Sequence, residues 1–243
     1  MKVEDIKSIN EKVSVLTCYD YSFAKTIDGA VDIILVGDSV GNVVYGLDST
    51  REVTMDIMIQ HVKAVRKGVS KSLLVADMPF GSDKDAVAAV DNASKLVEAG
   101  ADAVKVEGKP DIVKELVSKG FAVMGHVGLL PQTAETMRKY GKDDKEAKEI
   151  LQQAKDISDA GAFAIVIESV PGELAKLITS QVKVPTIGIG AGKDCSGQVL
   201  VLYDMIGLFE NVPSFVKRYI SLSTLVKDAA ARYSKEVKEG KFP

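Results

Sequence analysis

The chain has 243 residues, 46% of them hydrophobic and 27% charged, which is enough for a sizeable core and typical of a globular protein. Its 31 Lys and Arg against 34 Asp and Glu leave a net charge of −3, so the basic patch that nucleic-acid-binding and membrane-binding proteins favour is not indicated. The two cysteines, Cys18 and Cys195, form no CxxC pair, which argues against a zinc site and a disulfide framework and leads us to expect a cytoplasmic protein.

The chain begins with a predicted short helix over Val3–Asn10, which we expect to close one end of the fold. Its acidic residues and lack of an apolar core are unlike a signal peptide, and no apolar run approaches the roughly 18 residues of a membrane span.

Eight short apolar runs follow, a pattern typical of parallel strands covered by helices. These runs are Val13–Thr17, Ile33–Gly37, Ser72–Ala76, Ala103–Val106, Phe121–Gly125, Phe163–Ile167, Thr186–Ile189 and Val199–Tyr203.

Amphipathic stretches between these runs predict helices, the clearest being Asp56–Lys67, Ala86–Ala99, Asp111–Ser118 and Lys145–Ala160. Glycines follow them, as expected where a helix C-terminus favours a left-handed residue; they are Gly68, Gly100, Gly120 and Gly161. Eight units of roughly 30 residues predict a single (β/α)₈ TIM-barrel domain over residues 1–243, with the 190–198 connection too short for a full helix. An open doubly wound sheet is the alternative, and the lack of a GxGxxG motif after the first run favours the barrel.

Polar residues stand at the ends of several predicted strands. They are Asp38, Asp77, Glu107, His126 and Glu168, with Lys105 two positions before Glu107 and therefore on the same face of its strand. In a TIM barrel the C-terminal strand ends form one rim, and that rim carries the active site. We therefore expect these side chains to face a common pocket, where a buried Lys105 needs a carboxylate or an anionic substrate as its partner.

Each residue also has a purely structural interpretation. Asp38 and Asp77 would cap the helices that follow them, and a lone His126 is as often packed as functional. Cys18 is interpreted as a small packed residue rather than a nucleophile. Four carboxylates at strand ends, together with a lysine and a histidine, favour a functional site.

The carboxylates Asp38, Asp77 and Glu107 form an oxygen-rich set that suits Mg²⁺ better than zinc; Co²⁺, Mn²⁺ or Ni²⁺ would fit the same donors. A 2-oxo acid would chelate such an ion, which would stabilise the enolate formed when a proton leaves the adjacent carbon. Lys105 would neutralise the developing charge. Glu168 follows a very apolar strand, where burial should raise its pKa, so we predict that it is the base.

A series of motifs runs in order from about Val13 to the C-terminus. The motifs are Cys18–Lys25, Leu35–Gly41, Gly46–Thr50, Ala76–Phe80, Val104–Gly108, Gly125–Leu129, Glu168–Pro171, Ile187–Gly192 and Gly197–Val201. Together they resemble the ketopantoate hydroxymethyltransferase family. The resemblance implies hydroxymethyl transfer from 5,10-methylenetetrahydrofolate to 3-methyl-2-oxobutanoate, giving 2-dehydropantoate, in pantothenate and coenzyme A biosynthesis.

The same resemblance implies a role for each candidate residue. Asp38 and Asp77 are expected to hold Mg²⁺ directly, and Glu107 to act through or beside its water shell. Glu168 is expected to accept the proton. The residues expected to contact or surround the oxo acid are Asp38, Ser39, Asp77, Lys105 and His126. A homodecamer of two stacked pentamers is implied as well.

One region departs from the family pattern. The family usually has a glycine-rich stretch ending in Val-Gln-Gly-Arg, whereas Met137–Asp144 is shorter and highly charged. The resemblance therefore does not define the contacts to the donor in this loop, and it leaves open whether the donor is ordinary folate or a modified pterin.

Four other functions fit parts of the same pattern. Lys105 would form a Schiff base if the chain were a covalent aldolase, and another Mg²⁺-dependent 2-oxo acid aldolase or lyase would use the same rim. Gly188–Gly192 would cradle a phosphate in a phosphate-binding barrel, although we interpret these glycines as a tight turn. A non-catalytic scaffold or small-molecule sensor would bind the oxo acid without proton exchange.

Overall fold

A computed structural model describes residues 1–242. Eight parallel strands form a closed barrel in chain order, from β1 to β8. The predicted TIM barrel is thereby confirmed, and the open-sheet alternative is wrong. The strands are β1 (Val13–Thr17), β2 (Ile33–Val36), β3 (Leu73–Asp77), β4 (Ala103–Glu107), β5 (Val123–Gly128), β6 (Ala164–Glu168), β7 (Thr186–Ile189) and β8 (Gly197–Leu200).

Helices separate most of the strands. They are α1 (Val3–Ser8), α2 (Tyr21–Ile27), α3 (Met55–Arg66), α4 (Ala86–Glu98), α5 (Pro110–Ser118), α6 (Asp144–Asp159), α7 (Gly172–Gln181), α8 (Leu202–Met205) and α9 (Leu222–Lys238). A π-helical turn over Gly41–Tyr45 and a 3₁₀ turn over Thr50–Glu52 fill the long connection between β2 and α3. Between β7 and β8 there is no helix, in agreement with the short 190–198 connection.

The boundaries differ from the predictions by more than one residue at two strands, β5 and β8. β5 continues to Gly128, so His126 lies within the strand rather than just beyond it. β8 begins two residues before the predicted start, and Leu202–Met205 forms a helical turn instead of a strand end. β5 is longer because its pairing with β6 continues to Gly128 and Glu168. At β8 the difference arises because a short apolar run does not distinguish a strand from a buried helical turn.

Three of the four predicted helix-ending glycines have the expected positive φ: Gly100, Gly120 and Gly161. Gly68 does not, and the prediction is wrong there. A Cβ at this position would lie 2.7 Å from the Lys25 backbone nitrogen. Gly68 is therefore required by close packing against α2 and not by its own backbone conformation.

The barrel interior is filled by apolar side chains from every strand. The buried cluster includes Val15, Ile33, Val75, Met124 and Val166 from the strands, together with Ile6 from α1, whose side chain is fully buried. The short N-terminal helix therefore contributes to the core at the strand beginnings, as expected, and leaves the other rim to polar groups.

The chain divides into two compact units, Met1–Val199 and the segment from Leu200 onward. The first contains almost the whole barrel. The second contains α8 and α9. The prediction of one domain over residues 1–243 stays a prediction. No helix among residues 1–242 combines the length and apolar content needed to cross a membrane.

Candidate active site

The strand register brings the predicted polar residues level with one another. Asp77 at the end of β3 pairs with Lys105 of β4, and Glu107 of β4 pairs with His126 of β5. Glu168 at the end of β6 is level with Gly128 of β5. Because parallel strands in a barrel share one C-terminal rim, all of these side chains belong to one region.

Asp38, Asp77 and Lys105 form one part of the cluster. The Asp38 backbone nitrogen donates to Asp77 Oδ2 at 3.0 Å, and Lys105 Nζ lies 2.7 Å from Asp77 Oδ1. All three residues are buried, so Lys105 has the carboxylate partner that its burial demands. Burial opposes its charge, but the attraction of Asp77, Glu107 and Asp38 outweighs burial and raises the pKa of Lys105 above its ordinary range.

The surroundings of the Asp38 carboxyl disfavour its ionised form. Burial, followed by repulsion from Asp77, raises its pKa from 3.8 to about 8, despite the opposing attraction of Lys105. With every group ionised, the cluster contains four carboxylates against two cations, Lys105 and His126. The site therefore lacks two positive charges and has the electrostatic character of a cation-binding site.

Glu107, His126 and Glu168 form the other part. His126 Nδ1 lies 3.4 Å from Glu107 Oε1, and Nε2 lies 3.2 Å from Glu168 Oε2. Burial and Lys105 lower the pKa of His126, but the contacts with the two carboxylates outweigh them and raise it to about 9. Burial raises the pKa of Glu107, but His126 and Lys105 together lower it below its usual range. His126 is therefore more than a packed side chain, because each of its ring nitrogens contacts a carboxylate.

Glu168 is the most accessible member, with its side chain 20% exposed against 2% for that of His126. Two backbone features fix its position. Ser169, the next residue, has φ +48°, a left-handed conformation that is uncommon outside glycine and often found at functional sites. Gly128 lies so close that a Cβ there would overlap the Glu168 carbonyl oxygen.

Neither Asp38 nor Asp77 caps a helix. The residue that caps α4 is Asp85, which accepts from the Ala88 nitrogen, and α3 is capped by Thr54. The N-cap of the π-helical turn is Val40, without a side-chain hydrogen bond. The structural interpretation of the two aspartates as helix caps is therefore wrong.

Ser39 and Cys18 lie beside this cluster. The Ser39 hydroxyl is hydrogen bonded to the Tyr19 hydroxyl at 2.8 Å. Cys18 is fully buried, and burial raises the pKa of its thiol to about 11. A thiol that stays protonated is a poor nucleophile, which agrees with the interpretation of Cys18 as a packed residue.

The sequence reasoning did not single out Gln132, which follows β5 and is only 3% exposed. Its side-chain amide donates to Asp38 Oδ2 at 2.8 Å, and its backbone nitrogen donates to Glu107 Oε2 at 3.1 Å. A polar residue after Leu-Leu-Pro gives no pattern that predicts burial among carboxylates. Only the loop geometry shows its place.

The divergent loop forms its own ion pair. Arg138 contacts Glu146 at 2.6 Å and lies over the Tyr140 ring at 3.9 Å. The Tyr140 backbone nitrogen donates to the Ser169 carbonyl at 2.9 Å, which attaches the loop directly after Glu168. The loop helps to enclose a cavity of about 490 Å³, which is lined by Gly128, Leu130, Thr133, Ala134, Glu135, Thr136, Arg138 and Tyr140.

The glycines of β7 serve close packing. A Cβ on Gly188 would lie 3.0 Å from both Cys195 Sγ and Gln198 Nε2. The Gln198 amide donates to the Gly192 carbonyl at 2.9 Å. These contacts support the tight-turn interpretation and give no reason to place a phosphate there.

Within residues 1–242, no three His, Cys, Asp or Glu side chains are grouped as ligands of one metal ion. Two carboxylates suffice for Mg²⁺, which usually keeps several waters. The Asp38 carboxyl, buried and repelled by Asp77, fits such a role. Both oxygens of Glu107 contact Gln132 or His126, and both oxygens of Asp77 contact the Asp38 nitrogen or Lys105, so the two carboxylates are alike in this respect.

Comparison with solved structures supports the fold. A putative phosphonomutase from Burkholderia cenocepacia superposes with a TM-score of 0.70 at 11% identity, covering 94% of this chain and 100% of that one. A phosphoenolpyruvate phosphomutase from Streptomyces platensis superposes with a TM-score of 0.68 at 14% identity, covering 99% and 89%. At these identities the likeness is one of fold alone.

Sequence comparison is far more specific. The family model described as ketopantoate hydroxymethyltransferase matches residues 1–243. A 3-methyl-2-oxobutanoate hydroxymethyltransferase from Caldicellulosiruptor saccharolyticus is 49% identical, over 98% of this chain and 93% of its own length. One from Pyrococcus furiosus is 51% identical, over 96% and 85%. These matches confirm the predicted hydroxymethyltransferase function, and the chain belongs to the ketopantoate hydroxymethyltransferase family.

Proposed function

We propose that the chain transfers a hydroxymethyl group from 5,10-methylenetetrahydrofolate to 3-methyl-2-oxobutanoate, giving 2-dehydropantoate, with Mg²⁺ as the metal. The observation that carries the proposal is the cluster in which Asp38, Asp77 and Lys105 lie beside Glu107, His126 and Glu168 on one rim. Such a site has what deprotonation next to a ketone requires, namely a base, a cationic side chain and a negatively charged site for a metal cation.

In this proposal Asp38 and Asp77 hold the metal, and Glu107 stands beside its water shell. When bound, Mg²⁺ supplies a Lewis acid for the keto oxygen of the substrate. With every group ionised, the cluster has two more negative than positive charges, which supports a divalent cation over a monovalent one. Mn²⁺, Co²⁺ and Ni²⁺ fit the same oxygen donors.

The remaining residues bind, orient and deprotonate the oxo acid. Lys105 stays protonated beside Asp77 and attracts the substrate carboxylate or the developing oxyanion. Ser39, at the start of the loop after β2, is proposed to donate to the substrate. Glu168, the most exposed carboxylate of the cluster, accepts the proton from C3, and His126 Nε2 lies 3.2 Å from its Oε2.

The same contacts argue against a Schiff-base mechanism. A lysine nucleophile has to lose its proton, and enzymes achieve this by lowering its pKa. Here Asp77 lies 2.7 Å from Nζ and the surrounding carboxylates raise the pKa of Lys105. A non-catalytic sensor would not need a partly exposed base next to a buried cationic histidine.

The test of this proposal is proton exchange without any donor. We expect magnesium-dependent exchange of deuterium at C3 of 3-methyl-2-oxobutanoate, and Glu168→Gln should lower its rate at least about 100-fold because the amide cannot accept the proton. NMR would follow the exchange. Glu173→Gln, a change of the same kind in the first turn of α7, is the control and should exchange normally. Wild-type exchange in Glu168→Gln would remove Glu168 as the base.

The donor and the assembly are further parts of the proposal. Turnover with 5,10-methylenetetrahydrofolate and with the methylene form of a modified pterin, compared at equal concentration, would identify the donor class. We place the reaction in the cytoplasm and propose no nucleic-acid or membrane partner. The family resemblance supports a homodecamer. Helix α9 supports self-association as well, because it has no buried residue although an apolar stripe runs along it. The stripe consists of Leu225, Val226, Tyr233 and Val237.

A further inference from the structure

Gln132 connects four chain segments around the proposed metal site. It lies in the loop after β5, yet its side chain is almost completely buried. The side-chain amide donates to Asp38 Oδ2 at 2.8 Å and to the Met78 carbonyl at 2.9 Å. The backbone nitrogen donates to Glu107 Oε2 at 3.1 Å, and the backbone carbonyl accepts from Arg51 Nε at 2.7 Å.

The orientation of the amide follows from its partners. A carboxylate oxygen and a backbone carbonyl are both acceptors, so the NH₂ end must face them. Both of its hydrogens are then used, one on the carboxylate and one on the chain directly after β3. The Met78 carbonyl thereby holds the amide in place, and the amide determines which way the Asp38 carboxylate faces.

Such a bond has a large effect here because Asp38 and Gln132 are both buried, so water does not readily replace a lost donor. A charged acceptor in a buried site forms a stronger hydrogen bond than one in water. Without the amide, the carboxylate loses a donor and gains rotational freedom, so a cation that binds it must first restrict its motion.

We propose that Gln132 is a positioning residue that orients Asp38 through its side chain, and Glu107 through its backbone, for binding of the divalent cation. It acts through these two carboxylates and not on the substrate. The inference rests on the proposed function, because it takes Asp38 as a ligand of the ion.

The substitution Gln132→Met tests the role of the side chain separately from that of the backbone. Methionine has a similar length and volume, leaves the backbone bonds to Glu107 and Arg51 intact, and removes both amide donors. Residues that orient metal ligands typically change metal affinity 10-fold to 100-fold when they are altered. We expect the dissociation constant for Mn²⁺, measured by electron paramagnetic resonance without substrate, to rise about tenfold.

Enzyme activity gives a second measurement. The Mg²⁺ concentration for half-maximal exchange at C3 should rise by a similar factor, and activity should recover at high Mg²⁺, which a folding defect would not allow. Gln198→Met is the matched control, since its amide donates to the Gly192 carbonyl on the same rim but to no carboxylate. It should bind Mn²⁺ as the wild type does.

The outcomes separate the two proposals. Wild-type Mn²⁺ affinity in a folded Gln132→Met protein would overturn the positioning role while leaving the proposed function intact. Failure of the wild type itself to bind Mn²⁺ would overturn the metal site and this inference together. If Gln132→Met does not fold, Gln132→Asn takes its place, because it keeps an amide that is one methylene too short; it too should bind about tenfold more weakly, and unchanged affinity would contradict the proposal.

Discussion

At the scale of single residues, the site is governed by charges that are buried together. Lys105 and His126 are both cationic in their surroundings because carboxylates lie within 2.7 and 3.4 Å. The charged form of Asp38, by contrast, is disfavoured, because burial and Asp77 raise the pKa of its carboxyl to about 8. Groups with strongly shifted pKa values that lie side by side are typical of a site that handles protons and cations.

His126 leads to a prediction about pH. Its pKa is about 9 in the folded protein and near 6.5 when unfolded, so the folded state holds the proton more tightly. Its contribution to stability is therefore fully present below pH 6.5 and disappears as pH rises through 9. The full effect is roughly 3 kcal/mol.

The measurement is urea unfolding in EDTA across this pH range. The free energy of unfolding of the wild type should exceed that of His126→Gln at low pH, and the difference should shrink as pH approaches 9. His61→Gln changes the other histidine of the chain and should give a difference that does not follow this course. A constant difference for His126→Gln would contradict the raised pKa.

At the scale of elements, loops after different strands hold one another in place on the rim. Arg51, in the 3₁₀ turn that precedes α3, donates to the carbonyls of Gln132 and Ala134 at 2.7 and 2.9 Å. The loop after β5 is attached at its far end by Tyr140 to Ser169. The segment that carries Gln132 is therefore ordered by its neighbours and not by a helix or strand of its own.

Arg51→Lys should loosen this segment. A guanidinium donates to two carbonyls from a rigid plane, which a single ammonium cannot reproduce. We expect faster amide hydrogen exchange across residues 130–136, detected by mass spectrometry. Arg66→Lys is the control, because Arg66 also contacts two carbonyls, those of Gly100 and Val69, away from this loop. Equal exchange in wild type and Arg51→Lys would show that Arg51 does not order the loop.

At the scale of the whole molecule, the chain forms a closed barrel and a second compact unit that starts at Leu200. Within that unit α9 has 17 residues, and its apolar stripe is left open to solvent: Leu225 is 60% exposed and Tyr233 56%. An exposed stripe of this kind marks an interaction surface. The occupant that we propose is a second copy of the chain.

Leu225→Asp should therefore disrupt self-association. A charge in an apolar interface loses its hydration without gaining a partner, so light scattering should report a smaller particle than for the wild type. Ala231→Asp adds the same charge on the opposite, polar face of α9, next to Lys227 and Lys235, and should leave the assembly intact. A monomeric wild type, or an unchanged assembly in Leu225→Asp, would contradict the proposal.

The sequence by itself determined the class of fold and the polar residues that the structure brings together on one rim. Apolar runs such as Ile33–Val36 and polar strand ends such as Asp77 and Glu107 are local patterns, and a repeated strand-helix unit brings all such ends to one rim. Family membership followed from motifs in order along the chain. Helices α2, α7 and α9 were not among the clearest patterns.

The tertiary structure alone decided how those residues meet. Register pairs Asp77 with Lys105 and Glu107 with His126, and no local pattern encodes which residues of two strands lie level. Gln132 could not be found from sequence, because its burial depends on loops after β2, β3, β4 and β5 closing together. Secondary structure follows from interactions over a few residues, whereas a site of this kind depends on contacts between segments far apart in the chain.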